Sequence, residues 1–348
     1  MSSTAPPSLA TTIASLSLPT CIFNSPCPFA TTLTDLSAIF SSPETGAVTT
    51  RTSLIDGFPH NDNIHKWASY SGGTINCLGY SPHTLDEYLE WIEQLLSQEE
   101  FNKPIFVSIT GTAPEVGECI DRIRARQFAI RDRGISSYRN VAIEVNLSCP
   151  NIAHKPPPSY DTPSLREYLA IIASRVLPTD PEPPIVGLKL APFLYDTQYA
   201  DLTSLLLEFA RPLHSHPISF LTAINTIGGG LVVDVATEAP ALGPAGSFGG
   251  LGGPAVHAVA LGNVRRLYLL TQKHSALRSI DIIGVGGADS GEAVFRFLLC
   301  GAKAVMGASA LLEEGVGVYK RIAGELKDVM HKKNYGNIDE FRGNLREG

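Results

Sequence analysis

Apolar and polar positions along this chain follow two rhythms. Short runs dense in Val, Ile, Leu and Ala recur at 46–50, 104–110, 141–148, 184–190, 218–225, 280–285 and 304–306. Most are continuous rather than alternating, as expected of parallel strands covered on both faces. Longer stretches with apolar positions three and four apart lie between them, at 85–98, 114–133, 164–176, 199–211, 255–271, 291–299 and 319–331. Repeated βα units imply a parallel sheet, and seven or eight of them over about 300 residues fit an α/β fold closed as a (β/α)8 TIM barrel. A doubly wound open sheet also alternates in this way, but no GxGxxG follows the first strand here. Residues 1–17, rich in Ser, Thr and Pro, show neither rhythm. They are expected to be a flexible N-terminal segment, leaving 18–348 as a single barrel domain.

Two segments interrupt the pattern. Residues 151–163, "NIAHKPPPSYDTP", are stiffened by proline, and 228–254 are loosened by glycine. Both follow strand ends, the face on which barrel enzymes carry their chemistry, and loops this long in a compact domain are commonly functional.

Composition narrows the class. Hydrophobic residues make up 44% of the 348, enough for a large core, and the formal net charge is −7. That balance argues against a general nucleic-acid or membrane-surface binder, although a few local cations can still hold a small anion. The six cysteines, at 21, 27, 77, 119, 149 and 300, show no CxxC pair and no metal-ligand spacing. They read as reduced thiols of a cytoplasmic protein. The first 20 residues contain no arginine and no basic stretch before an apolar core, so neither a presequence nor a signal peptide is expected. No apolar run approaches the roughly 18 residues needed to span a bilayer.

Candidate chemistry gathers at the predicted strand ends. "IIGVGGADSGEA" sets Gly286 and Gly287 at one strand end, and "AVMGASALLEEG" sets Gly307, Ala308 and Ser309 at the next. In a barrel these are the last two strands, whose loops commonly hold a phosphate on backbone N–H groups. Lys189 ends the run "VGLKLAP", where an ammonium among apolar residues is costly unless it meets an anion or reaches solvent. Asn225 and Thr226 end the next strand and can aim hydrogen bonds into the same mouth, while Asn76 reads either as a site residue or as a turn residue. Cys149 lies in "IEVNLSCPN", between Asn146 and Asn151. A buried free cysteine is usually a small apolar filler, whereas a loop thiol with a lowered pKa can act as nucleophile or base. No histidine is placed by the sequence to pair with it, so proton abstraction is at least as consistent as covalent catalysis.

Taken together, "EVNLSCPN", "GLKLAP", "AINTIGGGL", "FGGLGG", "IIGVGG" and "LLCGAKAVMGASAL" resemble class 1 dihydroorotate dehydrogenases, most nearly the soluble homodimeric subclass 1A that uses fumarate. The resemblance implies an FMN-binding (β/α)8 barrel with the flavin at its C-terminal mouth. It implies oxidation of (S)-dihydroorotate to orotate, as in pyrimidine biosynthesis, with hydride passing to flavin N5 and Cys149 as general base. Asn76, Leu78, Gly79, Tyr80, Asn146, Asn151, Asn225 and Thr226 match the family's substrate-binding positions. Ser25, Asn146, Lys189, Gly250, Gly286, Gly287, Ala308 and Ser309 match its flavin-binding positions. Arg51, where the family carries a lysine, matches a position that serves both. Residues 151–163 match its substrate lid. Four departures stand out: Arg51 in "TRTS", "NSPC" at 24–27 with cysteine in place of glycine, Tyr80 in "NCLGY", and His154 in place of glycine. They motivate an alternative, a divergent FMN-dependent oxidoreductase acting on another cyclic amide or enone. A barrel that binds flavin without turnover is a third possibility, which retention of Cys149 with its asparagines disfavours.

Overall fold

The β-branched runs pair as a parallel barrel, and the glycine-rich stretches build a second sheet over its mouth. The computed structural model describes residues 6–98, 100–148, 157–212, 215–243 and 248–346. It begins with an antiparallel hairpin, β1 (Thr11–Ile13) and β2 (Leu16–Leu18), in register from Thr11 with Leu18. There follow β3 (Ile22–Asn24), β4 (Val48–Thr49), β5 (Trp67–Tyr70), β6 (Gly73–Asn76), β7 (Ile105–Ile109), β8 (Val141–Asn146), β9 (Ile185–Leu190) and β10 (Phe220–Ala223). The chain continues through β11 (Ile227–Gly230), β12 (Val233–Asp234), β13 (Ala239–Pro240), β14 (Gly249–Gly252), β15 (Asp281–Val285) and β16 (Ala304–Gly307).

Eight strands form the barrel sheet in the order β3-β16-β15-β10-β9-β8-β7-β4, every hydrogen-bonded pair parallel. The gap between β3 and β4 is closed mainly by a side chain. Asn24 donates Nδ2 to the Thr49 carbonyl at 2.6 Å and accepts from the Thr49 N–H at 2.8 Å, while the Gly46 N–H donates to the Ile22 carbonyl at 2.8 Å. The Asn24 carboxamide thus mimics the peptide group that a longer strand would supply.

Helices pack outside the strands, among them α1 (Leu33–Ser41), α2 (Leu85–Leu96), α3 (Ala113–Asp132), α4 (Thr162–Ala173), α5 (Asp196–Glu208), α6 (His257–Lys273), α7 (Gly291–Leu299), α8 (Ser309–Glu314) and α9 (Val318–Lys332). The first three share one start signal, a threonine with an acidic residue three positions on. Thr32 with Asp35, Thr84 with Glu87 and Thr112 with Glu115 each form a reciprocal capping box. Among the described residues no helix is long and apolar enough to cross a membrane.

The barrel interior is layered. Phe23, Phe106 and Phe220 fill its lower half, with ring centroids 5.1 Å and 5.4 Å apart. Gly187 makes this possible, because a Cβ there would lie 2.3 Å from the Phe220 ring. Above them the inward positions turn polar, with Ser108, Glu144, Thr222 and Lys189 all buried.

Two expectations need correction. Residues 1–17 are not a loose segment throughout: β1 and β2 carry Ile13, Leu16 and Leu18, which are buried against the aromatic layer and cap the bottom of the barrel. The apolar positions there alternate over too few residues to stand out among Ser and Thr. Likewise, 228–254 is not an irregular connection. It contributes β11 and β14 to a four-stranded antiparallel sheet, in the order β11-β14-β6-β5, plus the small pair β12 and β13.

Candidate active site

A cavity of about 210 Å³ opens at the C-terminal ends of the barrel strands. Ser25, Lys189, Asn225, Thr226, Gly286, Gly287, Ala308 and Ser309 all line it. The structure therefore brings these eight residues together from five strand ends that lie far apart in the sequence.

Lys189 stands at the inner wall. It is 4% exposed and donates Nζ to Ser25 Oγ at 2.7 Å. Burial pushes its ammonium pKa down, and the nearby Glu144 carboxylate opposes that shift. Across the cavity, Gly286 and Gly287 adopt φ of +129° and +67°, conformations that L side chains rarely take. A Cβ on Gly287 would meet the Gly253 carbonyl at 2.8 Å. The chain after β15 thus turns tightly against the chain after β14, leaving backbone in place of side chain at the cavity wall. Ser309, the first residue of α8, is bonded to Thr74 of β6, with the two hydroxyls 2.7 Å apart. That contact ties the upper sheet to the last turn of the barrel.

Beside the cavity runs an amide and hydroxyl network. Asn146 ends β8, donates Nδ2 to Thr52 Oγ1 at 3.3 Å, and accepts at Oδ1 from the Ser148 hydroxyl at 2.7 Å and from Asn225 Nδ2 at 3.3 Å. Asn225 also donates to Ser148 Oγ, and its Oδ1 accepts from the Thr226 N–H at 2.8 Å. Asn76 donates to the Gly250 carbonyl at 3.0 Å, and Thr226 packs so closely on Gly250 that a Cβ there would lie 2.2 Å from Thr226 Oγ1. Gly250 is thus needed for close approach, although it does not itself line the cavity. The network fixes Ser148, the residue that precedes Cys149. Cys149, Asn151 and the first part of the expected lid lie outside the described residues.

A third group sits next to this network. Arg51 is 7% exposed and donates to Thr31 Oγ1 at 3.3 Å and to the Gly79 carbonyl at 3.1 Å. Its guanidinium thereby tethers the turn 78–80, and Arg51, Asn76, Leu78, Gly79, Tyr80 and Asn146 stand outside the cavity lining. Tyr80 is buried edge-on to Phe58, with ring centroids 5.7 Å apart. Phe58 also lies against Gly79, where an added Cβ would come within 2.1 Å of its ring. Phe58 was not recognisable from the sequence, because a lone aromatic in a polar loop carries no periodic signal. Cys27 has extended backbone, φ −159° and ψ 169°, which any residue adopts. Its thiol is buried and pushed up to about 12, so it stays neutral.

One further charged group emerged only in three dimensions. Glu144 is completely buried below Lys189, and burial pushes its carboxyl pKa up. The signal was present, a carboxylate between Ile143 and Val145 inside a buried strand, but its partners lie on other strands.

The cavity with its glycine turns, its buried lysine and its adjoining amide network is what a planar anionic cofactor and a small polar substrate require. The family model for dihydroorotate dehydrogenase matches residues 8–330. A Streptococcus agalactiae (serotype Ia) protein, provisionally named dihydroorotate dehydrogenase A (fumarate), is 33% identical over 338 residues, covering 97% of this chain and 98% of the relative. A Streptococcus equi protein of the same provisional name is 34% identical over 340 residues, with 97% and 98% covered. The crystal structure of a ligand-free DHODH from Eimeria tenella aligns with a TM-score of 0.75 at 18% identity, covering 97% of this chain and 91% of that one, a likeness of fold.

Proposed function

Because this chain belongs to the dihydroorotate dehydrogenase family, we propose that it oxidises (S)-dihydroorotate to orotate with FMN as its cofactor and fumarate as the electron acceptor. The observation that carries this is the meeting of Lys189, bonded to Ser25, with the glycine turns at 286–287 and 307–309 in one cavity, flanked by the Asn146–Ser148–Asn225 network. FMN suits these residues. Its phosphate calls for backbone N–H groups that side chains do not crowd, which Gly286, Gly287, Ala308 and Ser309 offer, and its ring calls for a cation at the inner wall, which Lys189 offers. When bound, FMN supplies the two-electron acceptor.

The chain's own residues do the rest. Asn146, Asn151, Asn225 and Thr226 hold the pyrimidine amides, with Asn76 at the same edge. Arg51 fixes the turn 78–80 through the Gly79 carbonyl, so that the turn presents a constant face to the substrate. Cys149 removes the proton from C5, which is acidic because it lies beside a carbonyl, and residues 151–163 close over the substrate to exclude water. The working form is taken as a homodimer, in keeping with the subclass the sequence resembles, and the exposed Leu231, Val233, Val235 and Phe248 are compatible with burial against a second copy. We place it in the cytoplasm, where thiols such as the partly exposed Cys77 stay reduced.

Steady-state orotate formation tests the assignment. Turnover of dihydroorotate with fumarate, exceeding that with a quinone or NAD, is the expected result; no orotate with any acceptor in the presence of FMN sinks it. The departures at Arg51 and Tyr80 favour one second reading, a different cyclic amide or enone. Turnover of such a compound without turnover of dihydroorotate would select it.

A further inference from the structure

Glu144 has no part in the site as described, yet its surroundings are built around it. On β8 it is in register with Gly187 of β9, and Thr222 of β10 is in register with Lys189. The Glu144 carboxylate accepts from Thr222 Oγ1, two strands away, at 2.8 Å. Ser108, the register partner of Glu144 on β7, also flanks the carboxylate and favours its charged form. Lys189 lies two residues further along β9, on the same inward face, with its ammonium held toward the cavity by Ser25. Among the described residues, the titratable groups facing Lys189 are Glu144 on β8 and the neutral thiol of Cys27 after β3, and the one facing Glu144 is Lys189. A lone ammonium at this depth would shed its proton, and a lone carboxylate would take one up. Placed one layer apart, each favours the charged form of the other.

We propose that Glu144 is a positioning residue that keeps the Lys189 ammonium charged at the inner wall of the cavity, and so sets the affinity and reduction potential of the flavin there. This rests on the assignment of FMN to that cavity. A carboxylate beneath the lysine supplies the counter-charge without competing for the space in front of it, because its hydrogen bond to Thr222 holds it below.

The experiment is a cycle of four proteins, wild type, Glu144→Gln, Lys189→Met and the double variant, each with bound FMN. The two-electron midpoint potential is read by spectroelectrochemistry at pH 6.5, 7.5 and 8.5. Where binding is too weak for potentiometry, the FMN dissociation constant is read in the same cycle. Glu144→Gln lets Lys189 lose its proton, so the reduction equilibrium at pH 8.5 falls at least tenfold, about 30 mV, and recovers toward wild type at pH 6.5. Lys189→Met lowers it at every pH, and adding Glu144→Gln to Lys189→Met changes nothing further. An unchanged or raised potential in Glu144→Gln overturns the proposal, as does an equal shift with and without Lys189. If instead Lys189→Met leaves both potential and FMN affinity at wild-type values, the placement of FMN fails, and the proposal with it. Should Glu144→Gln not fold, Thr222→Val, which frees the carboxylate from its tether, is expected to shift the potential in the same direction by less; no shift overturns the proposal.

Discussion

The closure of the barrel through a side chain makes Asn24→Leu a sharp perturbation. Leucine shares the branched skeleton of asparagine and is bulkier, so no cavity is created, but it can neither donate to the Thr49 carbonyl nor accept from the Thr49 N–H. Thr49 is fully buried, and its own Oγ1 already has no partner among the described residues, so no nearby group stands ready to replace the amide. Each buried backbone group left unpaired costs about 1–3 kcal/mol, hence about 2–6 kcal/mol for the pair. Against a typical total of about 5–15 kcal/mol, that is a large share. Urea unfolding followed by tryptophan fluorescence and circular dichroism reads it out: the midpoint falls by the equivalent of at least about 2 kcal/mol with an unchanged slope. FMN affinity falls too, because Ser25, the next residue, anchors Lys189. A loss below about 0.5 kcal/mol would show that the seam does not depend on Asn24, since such values are ordinary for surface changes.

Three further outcomes are expected. Cys149→Ser retains FMN and substrate binding but slows flavin reduction by about 100-fold or more at neutral pH, within the usual contribution of a general base; rapid-mixing absorbance measures it, and an unchanged rate removes Cys149 from that role. Gly79→Ala forces the turn off Phe58, whose ring lies 2.1 Å from the new Cβ, so KM for dihydroorotate rises at least tenfold while FMN affinity holds, and adding Phe58→Ala recovers part of the loss. Cys21, Cys27 and Cys119 are each held up to about 12 by burial, against an ordinary 9.0. The folded state keeps these protons where the unfolded chain releases them, so stability is intact below pH 9 and falls as pH rises from about 9 to 12. Cys119→Ala makes that fall shallower, by at most about 1.4 kcal/mol per pH unit, in urea unfolding at successive pH values under reductant.

Much of the barrel was legible because its strands are continuous apolar runs whose ends carry glycine, asparagine and lysine. Val141–Asn146 and Ile185–Leu190 fall inside the runs read from the sequence, and Gly291–Leu299 matches its predicted helix. What escaped depends on partners far away in the chain. Ile22–Asn24 is three residues long and is a barrel strand only because Val305 and Gly307 pair with it on one side and the Asn24 amide reaches Thr49 on the other. The sheet over the mouth joins Gly73–Asn76 to Gly249–Gly252, two glycine-bearing segments with little intrinsic strand preference, held by each other's backbone. At the site, local motifs marked Lys189, Gly286, Gly287 and Ser309. The roles of Glu144, Thr222 and Phe58 became readable only with strand register, because register brings Glu144 and Thr222 to either side of β9 and a glycine at 79 decides where Phe58 can lie.

The central claim is tested most directly by one spectrum. Purified protein carrying FMN is made anaerobic and mixed with dihydroorotate, and the flavin absorbance is followed. Bleaching within the mixing time scale of turnover, reversed by fumarate, is the predicted result. A flavin band that dihydroorotate leaves untouched would contradict the account.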